Sequence, residues 1–119
     1  MPHLTIEYSS NLGTAPAAAL LRAANEALMH TGQFQEADIK SRAIGHDNFA
    51  IGTADTARAF VAATLSLLSG RTAETKREIA QALLAALEAA IPTNGMDLQT
   101  SVEILDIDRD SYAKSHRHG

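Results

Sequence analysis

Near the start of the chain, Leu4, Ile6 and Tyr8 alternate with His3, Thr5 and Glu7. Apolar residues at every second position predict a half-buried strand. Ser9 to Gly13 reads as a turn. Thr14 then stands as an N-cap, with Pro16 in the first turn of a helix. Ala17, Leu20, Leu21, Ala24 and Leu28 recur at helical spacing, and Gly32 follows as the C-terminal cap. Ile39 to Ile44 predicts a second short strand with Lys40 and Arg42 on one face. Gly45 to Ala57 is polar and contains glycine, so it reads as a loop or a small hairpin.

Phe60 to Leu68 is almost entirely apolar or small, a composition suited to a strand covered on both faces. Gly70-Arg71 turns the chain, and Thr72 caps a second helix with Glu74 in its first turn. Ile79, Leu83 and Leu87 line the buried side of that helix, with Leu84 and Ile91 adjacent. Pro92 and Asn94-Gly95 stop it. Val102 to Ile107 predicts a last strand, and a polar tail expected to fray covers 109–119. The order is β-α-β, loop, β-α-β, with pseudo-repeats at about 2–57 and 58–108 of one domain. A helix crossing over between two strands of one sheet implies parallel pairing within each unit. The expected fold class is α/β (α+β), with duplicated β-α-β units forming a four-stranded sheet and two helices on one face. The other face would be bare, and a large apolar patch calls for a second subunit. An oligomer is therefore expected.

Composition narrows the chemistry. The 119 residues carry a formal charge of −4, from 14 acidic and 10 basic side chains. That balance opposes nucleic-acid binding, which needs dense positive charge. With 45% hydrophobic residues a packed core is within reach and disorder is not expected. The absence of cysteine excludes a disulfide framework, a thiolate metal site and a cysteine nucleophile. Met1-Pro2-His3-Leu4 lacks the charged and apolar regions of a signal peptide, and no apolar run reaches the ~20 residues of a membrane span. A soluble, cytoplasmic domain with no membrane partner is the expectation.

Pro2 is the most informative residue. Its small side chain favours removal of Met1, which would leave a secondary amine at the terminus. An α-amino group titrates at about 7.7–8.0. The more basic prolyl amine would need a downward shift, which an apolar pocket and neighbouring cations supply. A neutral amine on a rigid ring is a workable general base. Met-Pro starts are also common without any function, but a strand beginning directly after Pro2 pins this one. Arg71 precedes a helix N-terminus, where the dipole prefers anions. It makes sense if it addresses an anionic ligand, and otherwise reads as a solvated loop arginine. Lys40 and Arg42 form a cationic pair, or an ordinary solvent-facing edge. The five histidines show no metal-ligand spacing, and there is no phosphate loop or nucleophile elbow, so neither metal nor cofactor is expected. A terminal amine and cations remain, which suits proton transfer on an anionic substrate.

Three stretches carry a family resemblance: Pro2-His3-Leu4-Thr5-Ile6-Glu7-Tyr8-Ser9, Ile39-Lys40-Ser41-Arg42, and LLSGRTAETKR from Leu67 through Arg77. They resemble the tautomerase superfamily, closest to the 5-carboxymethyl-2-hydroxymuconate Δ-isomerases, over Pro2 to about Asp108. Val61 to Ile107 is also similar to one short 4-oxalocrotonate tautomerase chain. The resemblance implies that Pro2 is catalytic and that Arg71 binds a substrate carboxylate. It puts Lys40 or Arg42 at the place of a second, strand-borne arginine, and Phe49 at that of an aromatic wall. Val61 stands where a short tautomerase has its proline, so one amine per chain is implied. A homotrimer and a role in aromatic catabolism, in homoprotocatechuate degradation, are implied as well.

The resulting expectation is a cofactor-free isomerase for a dicarboxylate or tricarboxylate enol substrate. Pro2 would move a proton from the 2-hydroxyl of a dienol acid to a carbon further along, giving a 2-oxo-3-ene acid. The rivals are a promiscuous enol-acid tautomerase and a non-catalytic trimeric binding protein of the same fold. A hydratase or dehalogenase would need a carboxylate to activate water, and Glu7 is the acidic residue placed near the terminus.

Overall fold

A computed structural model describes residues 1–13 and 16–119. The expected cap at Thr14 lies outside the described residues. The elements are β1 (His3–Ser9), α1 (Pro16–His30), β2 (Lys40–His46), β3 (Arg58–Leu68), α2 (Ala73–Ala90) and β4 (Asp97–Ile107). Short 3₁₀ turns cover Ser10–Leu12, Glu36–Asp38 and Arg109–Ser111. The four strands form one sheet in the order β2-β1-β3-β4. Each β-α-β unit pairs its own strands in parallel, and the units join antiparallel along β1 and β3.

Period-2 patterning sorts the two faces. Leu4 and Ile6 of β1 and Ala59, Val61, Ala63, Leu65 and Leu67 of β3 are buried. They form one core with Leu20, Ala24 and Leu28 of α1 and Ile79, Leu83 and Leu87 of α2. Both helices therefore cover the same face, and each fully buried Leu or Ile contributes about 1.5–3 kcal/mol. Thr72 caps α2 as its sequence suggests, its hydroxyl accepting from the Thr75 amide at 3.1 Å. Gly32, at φ 73°, follows the last turn of α1. Gly45 lies opposite Tyr8 across the β1–β2 ladder, and a Cβ there would come within 2.9 Å of the Tyr8 ring.

The limits of β2, β3 and β4 differ from expectation. β2 starts at Lys40 because Ile39 closes the preceding 3₁₀ turn, and it runs on to His46, which pairs with Ser9. β3 begins two residues earlier, at Arg58. β4 begins at Asp97 instead of Val102, and its polar first half pairs with Arg58 to Ala62. The open face is also not the apolar surface expected of β3. There β3 shows Phe60, Ala62, Thr64 and Ser66, beside His3, Thr5 and Glu7 of β1. Apolar exposure on this face comes from Ile44 and Leu105, 46% and 44% exposed. No helix among the described residues is long and apolar enough to cross a membrane.

Candidate functional site

The topology brings one set of strand ends together. β1 starts where β2 starts, because His3 pairs with Lys40. It starts where β3 ends, because His3 also pairs with Ser66. β4 runs parallel to β3, so Ile107 ends beside Leu68. Pro2, Lys40, the Gly70-Arg71 turn and the segment after β4 therefore meet at one edge of the sheet.

Pro2 is fully buried, and its carbonyl accepts from the Lys40 amide at 3.2 Å. β1 lies inside the sheet, so the chain start is held from both sides. The ammonium of Lys40 folds back onto the Asp38 carbonyl at 2.9 Å. Arg71 follows Gly70, whose φ of 122° is natural only for glycine. Its guanidinium lies 5.0 Å from the ring centroid of Phe34. Its long bonds to the carbonyls of Leu68 (3.5 Å) and Gln33 (3.4 Å) hold it loosely. Arg71 Nε is buried with no hydrogen-bond partner. Donor capacity at this edge thus exceeds what the protein uses. Arg71 is half-buried and close enough to the chain start for its charge to act on the Met1 amine.

The Met1 amine, one residue ahead of the Pro2 nitrogen, is held below its ordinary value, first by partial burial and next by the Arg71 guanidinium. Asp38 opposes this, while Lys114 and Lys40 add to the lowering. His3 is also pushed down, by burial and then by Arg42 and Lys40. Arg42 Nη2 sits 3.4 Å from His3 Nδ1, on the open face one step from the chain start.

Three residues at this edge were not singled out from sequence. Lys114, in the tail expected to fray, places its Nζ 3.0 Å from Asp38 Oδ1 and 3.0 Å from the Met1 sulfur. Asp38 is the acidic group near the chain start, its carboxyl held below the usual range chiefly by its hydrogen bond to Lys114. Phe34 supplies the aromatic surface under Arg71. Glu7 lies elsewhere: it pairs with His46 at 2.8 Å toward the other end of β1. Phe49 is also at that end, with its ring 6.0 Å from Phe60, whose amide donates to Ser9 Oγ. Six strand steps at ~3.3 Å separate the ends of β1, so Phe49 and Pro2 of one chain are on the order of 20 Å apart. Among the described residues, no group of three or more His, Asp or Glu side chains could hold a metal ion.

The family model described as 5-carboxymethyl-2-hydroxymuconate isomerase matches residues 2–118. A 5-carboxymethyl-2-hydroxymuconate isomerase from Deinococcus radiodurans R1 is 30% identical with a TM-score of 0.87, covering 98% of this chain and 90% of that one. A 5-carboxymethyl-2-hydroxymuconate delta-isomerase is 19% identical with a TM-score of 0.72, covering 100% and 89%. A fused 4-OT symmetric trimer is 24% identical with a TM-score of 0.72, covering 95% and 91%. The last two share the fold. No curated protein matches the chain.

Proposed function

We propose a proline-based proton transfer for this chain, which belongs to the 5-carboxymethyl-2-hydroxymuconate isomerase family and is an isomerase. Once Met1 is removed, the nitrogen of Pro2 is the base. The reading rests above all on the convergence of Arg71, Lys40 and Lys114 on the buried start of an internal strand. Cations and desolvation at this position would disfavour the charged form of a Pro2 amine and favour the neutral form that can take a proton.

The substrate class is a 2-hydroxydienoate bearing two or more carboxylates, such as 5-carboxymethyl-2-hydroxymuconate. The neutral Pro2 nitrogen takes the 2-hydroxyl proton and leaves a dienolate. The resulting ammonium returns a proton to a carbon further along the conjugated system, giving the 2-oxo-3-ene acid and restoring the base. Arg71 holds one carboxylate and stabilises the dienolate charge, using donors the protein leaves unspent. Lys40 or Arg42 holds a second carboxylate, which fixes the substrate in register with the amine. Asp38 keeps Lys40 and Lys114 in place.

We also propose a homotrimer, as in the trimeric fused 4-OT neighbour, with the open sheet face covered by neighbouring copies. In that assembly Phe49 walls a neighbour's site, since it lies a strand length from its own Pro2. Intact mass and ketonisation kinetics followed by ultraviolet absorbance test the mechanism together. The chain starting at Pro2 should be active, and one carrying an extra residue ahead of Pro2 should be inactive, because its nitrogen is an amide without useful basicity. Full activity in the extended chain would exclude the amine as base.

A further inference from the structure

We propose that Lys114 is a specificity residue that takes the third carboxylate of a tricarboxylate substrate at the Pro2 edge. The proposal rests on the proton-transfer reading above and extends it to the substrate class. Arg71 and Lys40 or Arg42 match two carboxylates. A 2-hydroxymuconate carries two, and its carboxymethyl derivative carries a third, ionised at neutral pH. The third cation comes from outside both β-α-β units, in the segment after β4.

That segment is fixed in place at several points. Ser69 donates its amide to the Ile107 carbonyl at 2.9 Å, and Arg109 Nε donates to the Ser69 carbonyl. Asp108 caps the 3₁₀ turn by accepting from the Asp110 amide at 3.0 Å. From there the chain reaches the sheet edge, where Asp38 fixes the Lys114 ammonium at 3.0 Å. An ammonium has three donors. One is used by Asp38, and another points at the Met1 sulfur, 3.0 Å away. A thioether is a weak acceptor, so this donor is poorly matched. Loss of Met1 turns it toward whatever lies against Pro2. The Lys114 side chain is 32% exposed, open enough for a ligand to reach and covered enough for its charge to count. Asp38 offsets one positive charge, and Arg71, Lys40 and Lys114 together still leave the edge cationic.

The test compares kcat/KM for 5-carboxymethyl-2-hydroxymuconate with that for 2-hydroxymuconate in wild type, Lys114→Gln and Lys114→Arg. The ratio of the two values should fall about tenfold or more in Lys114→Gln, the size of one charge-assisted contact. Lys114→Arg should restore it to within about threefold. A ratio unchanged in Lys114→Gln would overturn the proposal, since a lysine that merely tethers the tail to Asp38 affects both substrates alike. If the wild type ketonises neither dienol, the proton-transfer reading has failed. Calorimetric titration with propane-1,2,3-tricarboxylate and glutarate then decides for Lys114. A preference for the tricarboxylate that Lys114→Gln abolishes supports the role, and equal relative affinities in the two proteins refute it.

Discussion

Replacing Arg71 with alanine removes the best-placed cation at the Pro2 edge, and the structure allows its effects on folding and on activity to be separated. The guanidinium stacks on Phe34 at 5.0 Å, a contact worth about 0.5–1 kcal/mol. Its two carbonyl bonds, at 3.4 and 3.5 Å, are at the limit of useful geometry. Its unpartnered, buried Nε is a cost that the truncation removes. The net loss of stability should therefore stay below about 1 kcal/mol. A substrate carboxylate would pair with these unspent donors in a partly desolvated setting, where one such contact contributes roughly 2–4 kcal/mol to transition-state binding. That converts to about a 30- to 900-fold loss of kcat/KM. A second signature follows from the charge: Arg71 is the strongest cationic influence on the Met1 amine, one residue ahead of the Pro2 nitrogen, and its loss should weaken the cationic influence on the Pro2 amine as well. The amine then titrates higher, and the rising limb of the kcat/KM profile moves to higher pH. Arg71→Lys keeps the charge and loses the fork, so it should retain more of the pH behaviour than of the affinity. The assay is ketonisation of a 2-hydroxydienoate followed by absorbance across pH, with urea unfolding as the folding control. A kcat/KM within about threefold of wild type, with the limb unmoved, would refute the reasoning.

Light scattering should give a trimer mass, and intact mass should show a chain starting at Pro2; a stable monomer at micromolar concentration would count against the covered open face. Gly45→Ala should lower stability by about 1–3 kcal/mol in chemical denaturation, because its Cβ must displace the Tyr8 ring. The Asp38 carboxyl is held low in the folded chain by Lys114, so its contribution is complete above the unfolded value of about 3.9 and is lost as pH falls through the lowered folded value. Urea unfolding of Asp38→Asn should accordingly show a shallower loss of stability in acid than wild type.

Local pattern was enough for most of the elements. Alternation at Leu4, Ile6 and Tyr8 and helical spacing at Leu20, Ala24 and Leu28 reflect burial on one side, which repeats along a chain and can be read from it. The first half of β4 was obscured because Asp97, Gln99 and Ser101 face outward, and Thr100 interrupts the apolar positions that remain. Pro2 was legible because the strand begins at the next residue. Lys114 was not: its partner Asp38 is 76 positions away, and nothing in a polar tail marks that its lysine folds back. Phe34 reads as one more apolar residue until tertiary structure lays Arg71 on it. Phe49 shows the converse. Its expected role came from resemblance, and the register of β1 and β2 places it a strand length from Pro2 in the same chain.

The contact between Met1 and Lys114 means that positions near opposite ends of the chain share one site. Affinity tags are usually fused at such positions, and here either choice intrudes. A tag ahead of Pro2 acylates its nitrogen, while one after Gly119 hangs five residues from a cation of the same edge. The exposed stretch around Asp55 lies beyond the far end of β1 from the chain's own Pro2, although near Phe49 and therefore near a neighbour's site in the proposed trimer. The same closeness makes a circular permutant practical. Joining Gly119 to Pro2 through a short linker and opening the chain near Asp55 would preserve every strand pairing and convert the proline nitrogen into an ordinary peptide bond. The product would keep the fold and lose the terminal base, so a rate that survived in it could not come from a Pro2 amine.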